Sequence, residues 1–368
     1  MNRKQLWMPG FISLLAMGIA HAQTYIAIDA PGAGTGKGQG TFPQNVTDSR
    51  VIFGNYVDSS GVAHGFIRSR SGHYTTFDVS GAGTGTGQGT EPVSINVFGT
   101  ITGVYLDSNS VNHGFIRTAD GSVTTFDAPG AATGAGNIGT LSYNINLWGE
   151  IGGYYFDSGG RAHGFLRSPF GSFTSFEGPG AGTGSGQGTG TAAGTGLNVE
   201  GGIAGAIIDD QNVLHGHFRQ PDGTFVVIDA PGSGTGPFQG TDTDGINDAY
   251  FIPGPYYDSN SASHGYIRFP DGSITEFDVP GAGTAAGQGT LPEVFNLKGV
   301  VSGPYIDSNG VSHGFIRDPN GSITTFDVPG AGTGSGQGTI PGGLNFEGDL
   351  SGYYIDSNGA DHGFLRIP

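Results

Sequence analysis

Histidine recurs in this sequence at a nearly constant interval, followed each time by glycine and, in six of seven copies, by an aromatic residue. Successive copies are 49, 50, 52, 49, 49 and 49 residues apart. In the second copy, His113 follows Asp107 by six residues and precedes Asp127 by fourteen. An imidazole between two carboxylates can act as a general base, or as a metal ligand whose second nitrogen is oriented by a carboxylate. Catalysis, metal binding and a structural role are therefore the three candidate roles.

The sevenfold repetition of this arrangement favours the structural role. An enzyme rarely needs seven active sites, whereas seven copies of one structural unit each need their turns held together. We therefore predict a structural hydrogen bond between each histidine and its carboxylate neighbours, with no catalytic residue and no metal among them. The predicted structural residues are His64, His113, His163, His215, His264, His313, His362, Asp107 and Asp127.

Seven amide side chains occupy equivalent positions near the end of a glycine-rich segment in each copy. An amide can exchange hydrogen bonds with sugar hydroxyl groups, or it can bind the backbone of its own glycine-rich segment. The sequence leaves both roles open. The candidate ligand-binding residues are Gln39, Gln88, Asn137, Gln187, Gln239, Gln288 and Gln337.

Short β-strands are the elements that must position these residues. In the second copy, alternating patterns predict strands over Thr100–Asp107, His113–Arg117 and Ser122–Asp127, separated by turn residues. A further strand is expected near Val93–Asn96, and no segment has the 3.6-residue apolar periodicity of a helix. A unit of four antiparallel strands repeated about every 49 residues is typical of a β-propeller blade. The expected fold class is all-β.

The two ends of the chain carry incomplete copies of this unit. After residue 22 the chain opens with YIAIDAPGAGTG, a fourth strand without the three that should precede it, and it stops at HGFLRIP, a third strand without a fourth. Pairing the N-terminal strand with the C-terminal copy completes one unit and covers an open sheet edge. We therefore predict a single domain over residues 23–368, a seven-bladed β-propeller closed by this pairing.

Two motifs suggest cofactors only weakly. The segment PGAGTGSGQGT, Pro329–Thr339, lacks the Lys-Ser/Thr pair and the following helix that a phosphate-binding loop requires. The DSNG turns at Asp307–Gly310 and Asp356–Gly359 offer oxygen ligands for calcium, but they lack the distal glutamate of an EF-hand and are ordinary hairpin turns. We predict no cofactor, with calcium at these turns as the alternative.

The first 22 residues have the features of a secretory signal peptide. Arg3 and Lys4 precede an apolar run that ends in Ala20-His21-Ala22, and this run is too short for a membrane span. We predict a secreted protein, extracellular or periplasmic, without membrane insertion. The formal net charge of −17 opposes binding to nucleic acid or anionic lipid.

The segment Gly245–Ala282 resembles the units of bacterial extracellular repeats of the HAF type. Those units contain Gly-Ile-Asn, a turn, Gly-x-Tyr, His-small-Phe and a Pro-Gly-Ala tail, and the resemblance extends over essentially all of the chain after residue 22. It implies an exported, propeller-like repeat protein and transfers no activity. This sequence differs in having glycine rather than alanine after histidine and a regular Gly-Thr-Gly tail.

These observations favour a secreted, non-enzymatic scaffold that binds extracellular carbohydrate or protein, because every candidate polar group belongs to the repeat. The alternative is an extracellular polysaccharide-acting enzyme, a hydrolase or lyase, that uses acidic and histidine residues. In either case we expect the ligand on the face formed by the glycine-rich segments and by the turns between second and third strands. The fourth copy, with Ile207, Asp210 and His217, is the least regular, which fits either drift of one repeat or a unique ligand site.

Overall fold

The computed structural model describes residues 23–194 and 196–368. The predicted signal peptide, residues 1–22, lies outside the described residues. Within the described part, 29 β-strands form one hydrogen-bonded sheet and no helix occurs. That part accordingly has no helix of the length and apolarity needed to cross a membrane. The structure confirms the all-β fold class.

The strands repeat in units of four, which we call strands a, b, c and d in chain order. Strands a are β2 (Gly40–Val46), β6 (Gly89–Ile95), β10 (Thr140–Ile145), β14 (Gly188–Thr189), β18 (Gly240–Thr241), β22 (Gly289–Thr290) with β23 (Val294–Phe295), and β27 (Gly338–Leu344). Strands b are β3 (Ile52–Val57), β7 (Ile101–Leu106), β11 (Ile151–Phe156), β15 (Ile203–Ile208), β19 (Ile252–Tyr257), β24 (Val301–Ile306) and β28 (Leu350–Ile355).

Strands c and d complete the units. Strands c are β4 (Ala63–Arg68), β8 (Asn112–Arg117), β12 (Ala162–Arg167), β16 (Leu214–Arg219), β20 (Ser263–Arg268), β25 (Ser312–Arg317) and β29 (Asp361–Ile367). Strands d are β5 (Tyr74–Phe77), β9 (Val123–Phe126), β13 (Phe173–Phe176), β17 (Phe225–Ile228), β21 (Ile274–Phe277), β26 (Ile323–Phe326) and the N-terminal β1 (Thr24–Ala27).

The predicted strands b, c and d of the second unit agree with the structure to within one residue at each end. Strand a, expected near Val93–Asn96, instead begins at Gly89 and contains a bulge between Pro92 and Ser94. The extension depends on contacts with the preceding unit, because the Thr90 hydroxyl accepts a hydrogen bond from the backbone N–H of Val79. A local sequence pattern does not contain that information.

Adjacent units are joined where each strand a begins. Gly89 pairs in parallel with Ala63 of the preceding unit, at a φ of 124°, and a Cβ atom at this glycine would overlap the Ala63 carbonyl oxygen. Only glycine fits this combination of positive φ and close approach. The seven parallel bridges are Ala63–Gly89, Asn112–Gly139, Ala162–Gly188, Leu214–Gly240, Ser263–Gly289, Ser312–Gly338 and Asp361–Gly40.

The N-terminal strand pairs with the C-terminal strand. β1 lies antiparallel to β29, with Thr24 opposite Ile367 and Ala27 opposite Phe364. The incomplete last unit therefore receives its strand d from the start of the described chain.

Within residues 23–194 and 196–368 the core consists of seven apolar clusters, each shared by two units that are neighbours in space. One cluster joins Val79 of the first unit to Ile101 and Phe115 of the second, and another joins Leu365 near the C-terminus to Ile52. The aromatic residue of each His-Gly-aromatic motif is fully buried or nearly so. Its members are Phe66, Phe115, Phe165, Tyr266, Phe315 and Phe364, and the fourth unit has the buried His217 instead.

Deleting Thr24–Ala27 tests the β1–β29 pairing. We expect the deletion to lower the melting temperature and to cause association, because the backbone groups of β29 lose their partners and expose a sheet edge. Thermal unfolding and size-exclusion chromatography measure the two effects, with residues 23–368 as the control. A monomer with unchanged melting temperature would contradict the importance of this pairing.

Candidate functional site

A histidine lies between two carboxylates at the end of each unit that carries the glycine-rich segment and the b–c turn. In the second unit His113 lies in β8, Asp107 follows β7 and Asp127 follows β9, so two hairpins bring the three side chains together. Nδ1 of His113 is 2.9 Å from Oδ1 of Asp127, and Nε2 is 3.7 Å from Oδ2 of Asp107. The imidazole also stacks on Tyr105, with ring centroids 4.9 Å apart.

The same arrangement recurs in all seven units. Nδ1 lies 2.8–3.4 Å from the strand-d carboxylate at His64, His113, His215, His264, His313 and His362, and His163 contacts Glu177 in the same way. The stacked ring is a tyrosine in six units and is replaced by Ile207 in the fourth. These tyrosines, which our sequence analysis did not identify as partners of histidine, are Tyr56, Tyr105, Tyr155, Tyr256, Tyr305 and Tyr354.

This geometry holds the unit together and leaves little free chemistry. Both imidazole nitrogens face carboxylates, and the carboxylate after strand b also caps the following turn. In the described ranges, no group of three or more histidine or carboxylate side chains is arranged to hold a metal ion. The predicted structural role of the histidines is the one that these contacts favour.

The DSNG turns use their oxygens internally. Oδ1 of Asp307 accepts hydrogen bonds from the backbone N–H groups of Asn309 and Val311, at 2.8 and 2.9 Å. The Val311 hydrogen bond is the largest of the contacts that lower the pKa of Asp307. Calcium binding at these turns stays a prediction that would require a change in this hydrogen bonding.

The seven predicted ligand-binding amides form hydrogen bonds with the loops that surround them. Oε1 of Gln39 accepts the backbone N–H of Gly36, and Nε2 donates to the carbonyl of Ser59. Gln88, Gln187, Gln239, Gln288 and Gln337 make equivalent contacts within and between loops, and Asn137 donates to its own loop. Ligand binding by these amides stays a prediction, and any ligand would compete with these hydrogen bonds.

The opposite face is formed by the a–b and c–d turns, and six of the seven a–b turns contain an asparagine. Oδ1 of Asn296 accepts the backbone N–H groups of Lys298 and Val300, while Nδ2 donates to the backbone oxygen of Asn345 in the next unit, at 3.0 Å. Asn345 donates in turn to the Thr47 oxygen, at 3.2 Å, linking the last unit to the first. The residues are Asn96, Asn146, Asn198, Asn247, Asn296 and Asn345. Their periodic spacing in the sequence could have identified these asparagines as structural residues of the repeat, and we did not use it.

A cavity of about 800 Å³ opens between these a–b turns, and all seven units contribute to its wall. Its apolar lining includes Val97, Phe98, Leu297 and Phe346, which are 80, 67, 54 and 42% exposed. Asparagine, serine and threonine supply the polar lining, and Asp48 is the one ionisable residue among the described residues that line it. The cavity lies on the face opposite to the glycine-rich segments, where we had expected the ligand, and that expectation stays untested.

A group of carboxylates inside the fold departs from the repeat. Asp242 and Asp244 follow β18 in the fifth unit, and Glu293 lies at the position equivalent to Asp244 in the sixth. Protein surrounds all three, although each keeps a little accessible surface. Burial raises the pKa of Asp242 to about 6 and that of Glu293 to about 7. Burial, followed by the charges of Asp242 and Glu293, also raises the pKa of Asp244.

Tyrosines of the fifth and seventh units lie near these carboxylates. Burial and then the nearby carboxylates Asp242, Asp244 and Glu293 raise the pKa of Tyr257. Burial and then Glu293 raise the pKa of Tyr353 in the seventh unit to about 12. Our sequence analysis missed this cluster, although acidic residues at two alternating positions of one strand-a segment, TDTDG, were a visible departure from the repeat.

No family model matches this chain, and no curated protein matches it. The resemblance to HAF-type repeats therefore stays a prediction. Solved structures do match. A structure of prolyl endopeptidase is 12% identical, with a TM-score of 0.51, over 91% of this chain and 50% of that one. This chain thus spans about half the length of that peptidase.

Two further matches have lower TM-scores. Puromycin hydrolase is 12% identical, with a TM-score of 0.49, over 89% of this chain and 53% of that chain. The BP39L lectin from Burkholderia pseudomallei is 12% identical, with a TM-score of 0.46, over 76% of this chain and 81% of the lectin. At such low identity, the match to the peptidase indicates a related fold and carries no activity to this chain.

His113→Ala tests the histidine contacts. We expect a loss of about 1 kcal/mol in unfolding free energy, the value of a typical hydrogen bond, because the Asp127 side chain is 39% exposed and water can replace the imidazole. Denaturant unfolding measures the loss. His215→Ala is the matched control, since its unit has Ile207 in place of the stacked tyrosine, and we expect it to cost less. Equal stability of H113A and wild type would contradict a structural role.

Asp242→Asn and Glu293→Gln test the buried carboxylates. The pKa values of about 6 and about 7 lie above the ordinary values of 3.8 and 4.5, so the folded state binds more protons than the unfolded state between these limits. The stability contributed by the protonated groups is lost as pH rises through that window. We expect both variants to melt above wild type at pH 8 and near it at about pH 3.5, which is below both ordinary pKa values. Asp318→Asn, on an exposed turn, should change neither, and a uniform shift at both pH values would contradict the prediction.

Proposed function

We propose that this chain is an exported, non-enzymatic binding scaffold, a closed seven-bladed β-propeller that binds neutral carbohydrate in the cavity between its a–b turns. The cavity itself carries the proposal. Its volume of about 800 Å³ is within the usual range for ligand sites, and it combines exposed aromatic and aliphatic side chains with amide and hydroxyl groups.

Contacts between the units support the closed ring. Seven parallel bridges join each strand c to the strand a of the following unit, and the bridge between Asp361 and Gly40 returns from the last unit to the first. Pairing of β1 with β29, the hydrogen bond from Asn345 to Thr47 and the ion pair between Arg50 and Asp349 act at the same junction. Seven equivalent junctions are what a seven-bladed ring requires.

The chemistry of the cavity supports a neutral sugar over a charged ligand. Pyranose rings have an apolar face that packs on aromatic side chains and a polar edge of hydroxyl groups that forms hydrogen bonds. Phe98 and Phe346 supply the aromatic surfaces. Among the described residues that line the cavity only Asp48 is ionisable, and the ammonium group of Lys298 lies 4.1 Å from the centroid of the Phe346 ring, so the wall offers no surplus of either charge. An apolar patch of this kind on a surface rich in acidic residues is a recognised mark of a binding site.

An enzyme that acts on extracellular polysaccharide is the second candidate. The observation in its favour is the interior group of Asp242, Asp244 and Glu293. Burial raises the pKa of all three, to about 6 at Asp242 and about 7 at Glu293, and carboxylates with a raised pKa suit general acid–base catalysis. The seven repeated histidines favour an enzyme less, because the imidazole nitrogens of each already face two carboxylates.

Phe98→Ala and Phe346→Ala test the proposal. Isothermal titration with a panel of neutral oligosaccharides of four to six sugar rings should detect binding, and each variant should weaken it about tenfold, as truncation of an aromatic anchor does. Phe170→Ala, 96% exposed on a c–d turn of the same face, is the matched control and should bind as wild type does.

Two outcomes would contradict the proposal. Absence of binding to every neutral oligosaccharide in the panel would exclude the ligand class. Binding could instead survive in F98A and F346A and be lost when Gln88, Gln187, Gln288 and Gln337 are all changed to alanine. That result would place the site on the face formed by the glycine-rich segments. Release of shortened oligosaccharides, measured in parallel and abolished by E293Q, would favour the enzyme.

A further inference from the structure

A separate groove of about 450 Å³ lies between the third and fourth units, on the same face as the cavity. Trp148, Glu150, Pro169, Val199 and Glu200 line it. Trp148 is 65% exposed, although an indole ring is costly to leave in water, and it is the sole tryptophan of residues 23–368. An exposed tryptophan on the wall of a groove is a surface on which a ligand ring can pack.

Two carboxylates flank this tryptophan and are held in place by neighbouring side chains. Glu150 accepts a hydrogen bond from Nδ2 of Asn146 at 2.8 Å, and Glu200 accepts one from the hydroxyl of Tyr250. Carboxylates have acceptor capacity for more than one donor. They can therefore bind a ligand donor without losing these contacts.

None of the described residues that line this groove has a basic side chain. Arg167, which precedes the turn that contains Pro169, lies over the ring of Phe126 at 4.9 Å and donates to the Ser168 carbonyl. The carboxylates thus face the groove without a counterion from its wall. A tryptophan face next to uncompensated carboxylates is suited to a cation, because the electrons of the ring and the carboxylates both attract positive charge.

We propose that this groove binds the ammonium group of an amino sugar, as in a deacetylated amino-sugar polymer, with the sugar ring against Trp148 and the ammonium group between Glu150 and Glu200. This deepens the proposed function and rests on it for the carbohydrate class. Neutral rings occupy the cavity between the a–b turns, and the groove adds selectivity for positive charge.

Tryptophan fluorescence measures binding at this groove directly, because Trp148 alone reports it in residues 23–368. Titration with a fully deacetylated glucosamine tetramer should change the emission and saturate, at least tenfold tighter than its N-acetylated form or a neutral glucose tetramer. Raising NaCl from 0.05 to about 0.5 M should weaken only the glucosamine complex, because salt screens the charges. Glu150→Gln and Glu200→Gln should each reduce the preference several-fold.

Glu347→Gln is the matched control, because Glu347 occupies the position of Glu200 in the seventh unit and lies outside the groove. We expect it to leave the preference unchanged. An equal loss in E347Q and E200Q would indicate general attraction to an acidic protein and would overturn the proposal. Equal affinity for charged and neutral tetramers would overturn it as well. The proposed function would survive both results if neutral oligosaccharides still bind in a manner that depends on Phe98.

Discussion

Close contact between backbones, at the glycine that begins each strand a, is the constraint on which the rest of this structure depends. At Gly40, Gly89 and their equivalents the φ angle is positive and a side chain would overlap the carbonyl oxygen of the preceding strand c. This contact sets the distance between neighbouring units. It brings the next threonine under the preceding strand d, as Thr90 does for Val79, and it brings successive a–b turns within hydrogen-bond distance of one another.

Much of this architecture follows from local chemistry and could be predicted from the sequence. Alternation and turn residues located strands b, c and d of the second unit, and the spacing of His113, Asp107 and Asp127 predicted their proximity, because a hairpin brings together residues equidistant from its turn. The start of strand a could not be found in this way, since it is decided by a neighbouring unit. The asparagine contacts and the cavity also depend on neighbouring units, which a single repeat does not specify.

Residues that repeat and residues that vary have different locations. The histidines, the amides of the glycine-rich segments and the asparagines are bonded within or between units, so each has a structural reason to recur. The variable positions are the tips of the a–b turns, where Phe98, Trp148 and Glu200 are equivalent, and the segment that follows the start of strand a, where Asp244 and Glu293 lie. Chemistry specific to this protein is concentrated where the scaffold does not require a given side chain.

The pairing of β1 with β29 has a kinetic consequence. Hairpins within a unit connect residues close in sequence and form rapidly, whereas Gln23 and Arg366 meet across 343 residues. Because β29 is synthesised after all the other strands, β1 cannot pair with it until the chain has been made up to Ile367. This pairing is a single long-range association that covers the edge of β29.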